Sequence, residues 1–207
     1  MGLSDFVGSI NIKQEFIPVG NRNRPGRRIT PKKVTIHNTA NTSKGANADR
    51  HSLFVRETGH YVHNGKVHWI SWHYTVDDLE VIQQLPEKEV AYHAGEGANS
   101  ASIAIEICMH QDNDQKAADD RAARLAAYVL NQNGLQIGDL RTHKSWTNKN
   151  CPALLLPGNS WASFVALVEQ YMFMIATPEV QGLDFASTPF TFQGCMDGVE
   201  EAYDPGD

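Results

Sequence analysis

Residues 102–108 read SIAIEIC. A near-continuous, isoleucine-rich apolar run of this length suits a strand buried on both faces, as in the interior of a partly parallel sheet. The pattern on either side supplies its neighbours. Residues 34–39 (VTIHNT) are short and β-branched and read as a strand running into the polar turn material NTANTSKGAN. Residues 69–76 (WISWHYTV) and 80–85 (EVIQQL) flank Asp77-Asp78 and read as a hairpin. Residues 90–93 add a further short strand. Helical spacing appears at 46–58, with Leu53 and Phe54 placed inward, and most clearly at 114–133. There Asp114 is the expected N-cap, Ala118, Ala122, Leu125, Ala126 and Val129 share a face, and Gly134 is a stop. Asn159-Ser160 precede a last helix at 161–175. Strands and helices interleave and one pair is a hairpin, so the expected fold class is α/β, a central mixed β-sheet flanked by helices.

The chain has 207 residues, 41% apolar and 20% charged, with a formal net charge of −6. That is the profile of a globular domain with a sizeable core. The expected domain spans 1–177, with 1–33 as an irregular lead-in punctuated by Gly20, Pro25, Gly26 and Pro31. Residues 178–207 read as an acidic tail, weakly structured or a linker. The acidic balance argues against a nucleic-acid partner, which would need clustered Lys and Arg. The one basic run, RNRPGRRITPKK at 22–33, reads as solvated lead-in. No apolar run is long enough for a membrane span, so no membrane insertion is expected. The start, MGLSDFVGSI, lacks the basic and apolar regions of a secretory signal and fails the myristoylation pattern at Phe6. Synthesis in the cytoplasm is the expectation, with any work outside requiring another route of release. Three cysteines are too few and too scattered for a disulfide scaffold. Cys108, inside the apolar run, reads as a small buried hydrophobe.

The chain carries nine histidines. His51, His60, His63, His68 and His110 lie in polar stretches and are expected to face solvent. His37, His73, His93 and His143 stand apart. His37 lies on a strand, His143 follows GDLRT, and Cys151 comes eight positions later. Two imidazoles and a thiolate can form the three-ligand set of a catalytic zinc site, which keeps one position open. The spacing is unlike a zinc finger, whose ligands come in close pairs. Spacing alone does not single out this triple in a histidine-rich chain. Glu106 is the only charge within SIAIEIC. It reads either as a carboxylate at a sheet edge or in a buried ion pair, or as a general base with a pKa raised by burial. Lys149, two residues before Cys151, reads as a solvated loop lysine or as an oxyanion stabiliser beside the metal.

Five stretches in order, TIHNTA (35–40), SWHYTVDD (71–78), AYHAGEG (91–97), SIAIEIC (102–108) and THKSWTNKNCP (142–152), resemble the zinc-dependent N-acetylmuramoyl-L-alanine amidases of the type 2 family. These include phage endolysins, autolysins and peptidoglycan-recognition proteins. The lead-in INIKQEFIPVGNRNRPGRRITPKK is similar to endolysin catalytic domains, and the resemblance extends over about 10–172. It implies a peptidoglycan-recognition-protein-like sheet with one Zn2+ in a shallow groove. It also implies His37, His143 and Cys151 as metal ligands, Glu106 as the catalytic carboxylate and Lys149 as the group at the scissile carbonyl. Trp72 stands where some members carry a catalytic tyrosine. Indole cannot act as an acid or base, which leaves the proton work to Glu106. Trp72, His73 and His93 are expected near the groove, as structural groups or substrate contacts. The implied activity is hydrolysis of the amide joining N-acetylmuramic acid to L-alanine in peptidoglycan, on the cell wall after release by a holin, lysis or other export. The alternatives are a non-catalytic peptidoglycan-binding module and a zinc peptidase acting within the stem peptide. The tail is a candidate for oligomerisation.

Overall fold

The computed structural model describes residues 3–176. The tail at 178–207, with its expected linker or oligomerisation role, lies outside the described residues. The strand expected at 102–108 is β7 (Ser102–Ile107), and it lies in the middle of a six-stranded sheet. The other strands are β1 (Ile12–Gln14), β2 (Lys33–Asn38), β5 (Tyr74–Val76), β6 (Val81–Gln83) and β8 (Leu140–Thr142), in the order β1-β6-β5-β7-β2-β8. Only β5 and β6 pair antiparallel; the remaining neighbours are parallel. The mixed sheet expected from the sequence is thus present, with the hairpin at Asp77-Asp78 supplying its antiparallel pair.

The period-two alternation of strands sorts the side chains. Val34 and Ile36 of β2, Ile103, Ile105 and Ile107 of β7, and Tyr74 and Val76 of β5 point to one face and form the main core. Against that face lies α4 (Gln115–Gln132), capped by Asp114, whose side chain accepts from the Ala117 N–H. The outer layer is α6 (Ser160–Ala176), which packs on α4 through Phe164, Val168 and Tyr171. Being covered on two sides, α4 buries Ala118, Ala122, Ala123, Ala126 and Ala127 together with Leu125, Val129 and Leu130. Alanine allows both the sheet and α6 to approach closely.

The lead-in is more ordered than its punctuation suggests. Residues Leu3–Ile10 form α1, and β1 extends the sheet as a parallel edge strand against β6. Phe6 and Ile10 are buried in the main core, which gives this short helix its reason to fold.

The opposite face is covered by α2 (Ala48–Glu57), whose Val55 packs with Ile17, Trp72, Leu85, Ala91 and Ala104. The inward residues of α2 are Ala48, His51, Ser52 and Val55, not Leu53 and Phe54; Phe54 is 37% exposed. Buried Asp77 fixes this helix. Its carboxylate accepts from the Ala48 N–H at 2.9 Å, at the positive end of α2, and from the Leu79 and Glu80 N–H groups at 2.8 Å each.

Two further expectations change. Residues 70–73 are not strand, because their backbone groups turn to separate partners: Ile70 N–H to Gly59, Ser71 N–H to Tyr92 and His73 N–H to Ala104. Residues 90–93 likewise make only isolated bonds, such as Val90 N–H to the Arg27 carbonyl. Before them comes a projecting two-stranded hairpin, β3 (His60–His63) with β4 (Lys66–Trp69). Its turn is Asn64-Gly65, both at positive φ (50° and 71°), the backbone that an Asn-Gly pair adopts most readily.

Candidate metal centre and groove

The parallel strands deliver the candidate residues by register. His37 and Glu106 are direct partners across β2 and β7 and share the face opposite the main core. His143 follows β8, itself paired to β2, and starts a single-turn helix, α5 (Lys144–Thr147). All three lie at the carboxyl ends of parallel strands, where open α/β sheets place their sites. Past α5 the chain reverses at Asn148, which has a φ of 64°. The Lys144 N–H donates to the Cys151 carbonyl at 2.9 Å, and the Leu154 N–H donates to Asn38 Oδ1 at 2.9 Å. These bonds return Cys151 to the side of His143 and pin the loop to the end of β2.

His37, His143 and Cys151 are all buried, and their donor atoms lie within 4.8 Å of one another. His143 Nδ1 is 3.0 Å from His37 Nδ1, and Cys151 Sγ is 3.8 Å from the same nitrogen. Burial pushes the His143 imidazole down to about 4 and holds His37 well below its ordinary value, so both are neutral and offer lone pairs. Burial, with Glu106 nearby, pushes the Cys151 thiol up to about 11. Two converging imidazoles and a thiol that needs positive charge to ionise are a donor set suited to a borderline-soft divalent cation.

Glu106 stands beside this cluster, with Oε1 3.7 Å from His37 Nδ1. Its Oε2 is buried and has no hydrogen-bond partner. Burial raises its carboxyl to about 8, with Lys149 pulling the other way. Lys149 is exposed and lines the same groove of about 670 Å³ as His37, Glu106, His143 and Cys151. Arg50, Phe54, Tyr61, His68 and Trp69 extend the lining along one side, so the projecting hairpin forms a groove wall.

The remaining candidates separate. Trp72 borders the groove, but its indole N–H is committed to Thr75 Oγ1 at 2.7 Å. His73 is fully buried and outside the groove lining. Its Nδ1 accepts from the Ala104 N–H at 2.9 Å and its Nε2 faces the Glu89 carbonyl at 2.9 Å, so it ties β7 to the segment at Glu89. His93 borders the groove yet turns a ring nitrogen to His37 Nε2 at 3.0 Å. Among the histidines expected in solvent, His63 and His68 are exposed, but His51 and His110 are buried. His51 lies on the inner face of α2, bonded to the Asn47 carbonyl and next to Cys108.

This sheet, with its donor cluster at the strand ends and an open groove above, defines the class: a peptidoglycan-recognition-protein-like amidase fold. The solved catalytic domain of XlyA superposes with a TM-score of 0.68 at 41% identity, covering 76% of this chain and 99% of that one. Residues 26–154 match the N-acetylmuramoyl-L-alanine amidase family, and the chain belongs to that family. Two Bacillus subtilis (strain 168) relatives are the N-acetylmuramoyl-L-alanine amidases CwlH and XlyA. Each is 41% identical over 160 residues, covering 75% and 76% of this chain. The chain spans 60% and 50% of the lengths of these two relatives.

Proposed function

We propose that the chain is a zinc-dependent N-acetylmuramoyl-L-alanine amidase that cuts the amide between the lactyl group of N-acetylmuramic acid and L-alanine in peptidoglycan. The observation that carries this reading is the buried, unpartnered oxygen of Glu106 beside three convergent donors at the floor of an open groove. His37, His143 and Cys151 would hold the ion. Zinc bound there supplies a polarising charge for a carbonyl and for a water that becomes acidic near neutral pH. Glu106 receives the proton of the attacking water. A carboxyl held at about 8, with the pull of Lys149 already counted, is largely protonated at pH 7, so it needs further positive charge to serve as a base, which an ion held by His37, His143 and Cys151 would supply. The Lys149 ammonium then stabilises the oxyanion, and Glu106 returns its proton to the departing L-alanine nitrogen. Trp72 takes no part in proton transfer, since its indole N–H is held by Thr75. Action on the cell wall follows from the substrate. Among the described residues no helix is long and apolar enough to cross a membrane.

Digestion of purified peptidoglycan followed by mass spectrometry tests the reading. The expected product is a stem peptide with a new free amino group on L-alanine. Retention on peptidoglycan without cleavage would make the chain a binding module, and new ends within the stem would make it a peptidase; either result overturns the proposal.

A further inference from the structure

Behind the groove runs a partly buried chain of hydrogen bonds whose direction is set by its ends. Trp146 Nε1, which can only donate, bonds Thr35 Oγ1 at 3.0 Å. The Thr35 hydroxyl gives its own proton to Ser102 Oγ at 2.9 Å, since the single Ser102 proton is taken by a carbonyl. Ser102 gives its proton to the Ala98 carbonyl at 2.9 Å, an atom that can only accept. With that proton committed, Ser102 Oγ offers only a lone pair to His93 Nε2 at 3.3 Å, so the N–H of His93 sits on Nε2. The other nitrogen, His93 Nδ1, is then an acceptor, and it lies 3.0 Å from His37 Nε2. His37 must donate from Nε2, which leaves His37 Nδ1 as a bare lone pair facing His143 and Cys151.

We propose that His93 is a positioning residue: oriented by Ser102, Thr35 and Trp146, it fixes His37 in the tautomer whose Nδ1 lone pair points into the donor cluster. Groups behind a metal-binding histidine that set its tautomer and ring orientation are a general requirement of such sites. Here the group is a second histidine, itself given direction by a hydroxyl relay that starts on the α5 turn and crosses β2 to β7. The inference rests on the metal-binding reading of His37, but its first readout does not.

Two measurements on the full chain decide it. In metal-free protein, long-range 15N–1H spectra of the histidine rings report the tautomer of His37. The expected state is protonation at Nε2 in the wild type and a mixture, or a switch to Nδ1, in His93→Leu. Ser102→Ala, a milder buried change, is expected to mix the tautomers of both His93 and His37, and it serves should His93→Leu fold poorly. Chelator competition then reads zinc affinity, expected to fall roughly 10- to 100-fold in His93→Leu and to recover largely in His93→Asn, whose amide oxygen accepts where Nδ1 did. An unchanged His37 tautomer in both His93→Leu and Ser102→Ala overturns the proposal. So does an unchanged zinc affinity in a folded His93→Leu. A wild-type chain that binds no zinc would instead sink the metal reading, and the tautomer spectra would still decide the role of His93.

Discussion

Glu106 is one strand over from His37, has one oxygen without a partner and is lifted to about 8 by burial. Glu106→Gln preserves volume while removing the ability to take a proton. The expected result is unchanged zinc content with turnover lowered roughly 10²- to 10⁴-fold, read by release of stem peptide. Turnover near wild type would remove Glu106 from the proton path. The thiol gives a second prediction. Cys151 is held at about 11, so at neutral pH it must lose a proton to become a metal ligand. Zinc binding should release at least one proton, and apparent affinity should rise about tenfold per pH unit for each proton released. Calorimetry in buffers of different ionisation enthalpy measures this, and an affinity flat across neutral pH would contradict it. At this scale the sequence was informative where a residue broke its local pattern. A lone carboxylate among isoleucines marks itself. His93 stood apart in the sequence, but its pairing with His37 did not show, because the two are 56 positions apart and meet only in the fold. His51 and His110 were misplaced for the same reason: polar neighbours in sequence say nothing of which way a ring faces.

Among the elements, α4 carries the clearest constraint. It is wedged between the sheet and α6, and its buried alanines leave no room on either side. Ala126→Leu should therefore destabilise the fold by about 1–3 kcal/mol through overpacking, read as a lowered denaturation midpoint. The groove lies on the other face of the sheet, so activity per folded molecule should persist. A variant as stable as wild type would mean that α4 has room for a larger side chain between the sheet and α6. The long strand β7 and the long helix α4 were legible because burial of many residues imposes a period that chance seldom produces. Short elements were not. A three-residue strand such as β1 or β8 carries too few positions to show a period, and its existence depends on a neighbour already in place. The β3–β4 hairpin was read as polar loop: Asn64-Gly65 is a hairpin turn pair, but both faces of the hairpin are largely exposed, so its histidines and lysine show no buried alternation.

For the molecule as a whole, the buried histidines link stability to pH. His73, fully buried and bonded to backbone on both sides, is pushed down to about 4, whereas an unfolded imidazole titrates near 6.5. Its folded pKa is depressed, so its contribution is complete above about 6.5 and is lost progressively as pH falls toward about 4. At pH 5 that loss is about 2 kcal/mol for this residue, measurable by denaturant melts at pH 7 and pH 5. A His73 ring that titrates near 6.5 in the folded chain, followed by NMR, would refute it. The claim on which the rest depends is that His37, His143 and Cys151 hold one zinc ion that the cleavage reaction requires. Its most direct test follows zinc content and stem-peptide release on the same sample through chelation and readdition. The expected result is one zinc per chain, lost together with activity and restored together with it, and no such recovery in Cys151→Ser. Peptidoglycan cleavage that continues after the zinc has been fully removed would contradict the account.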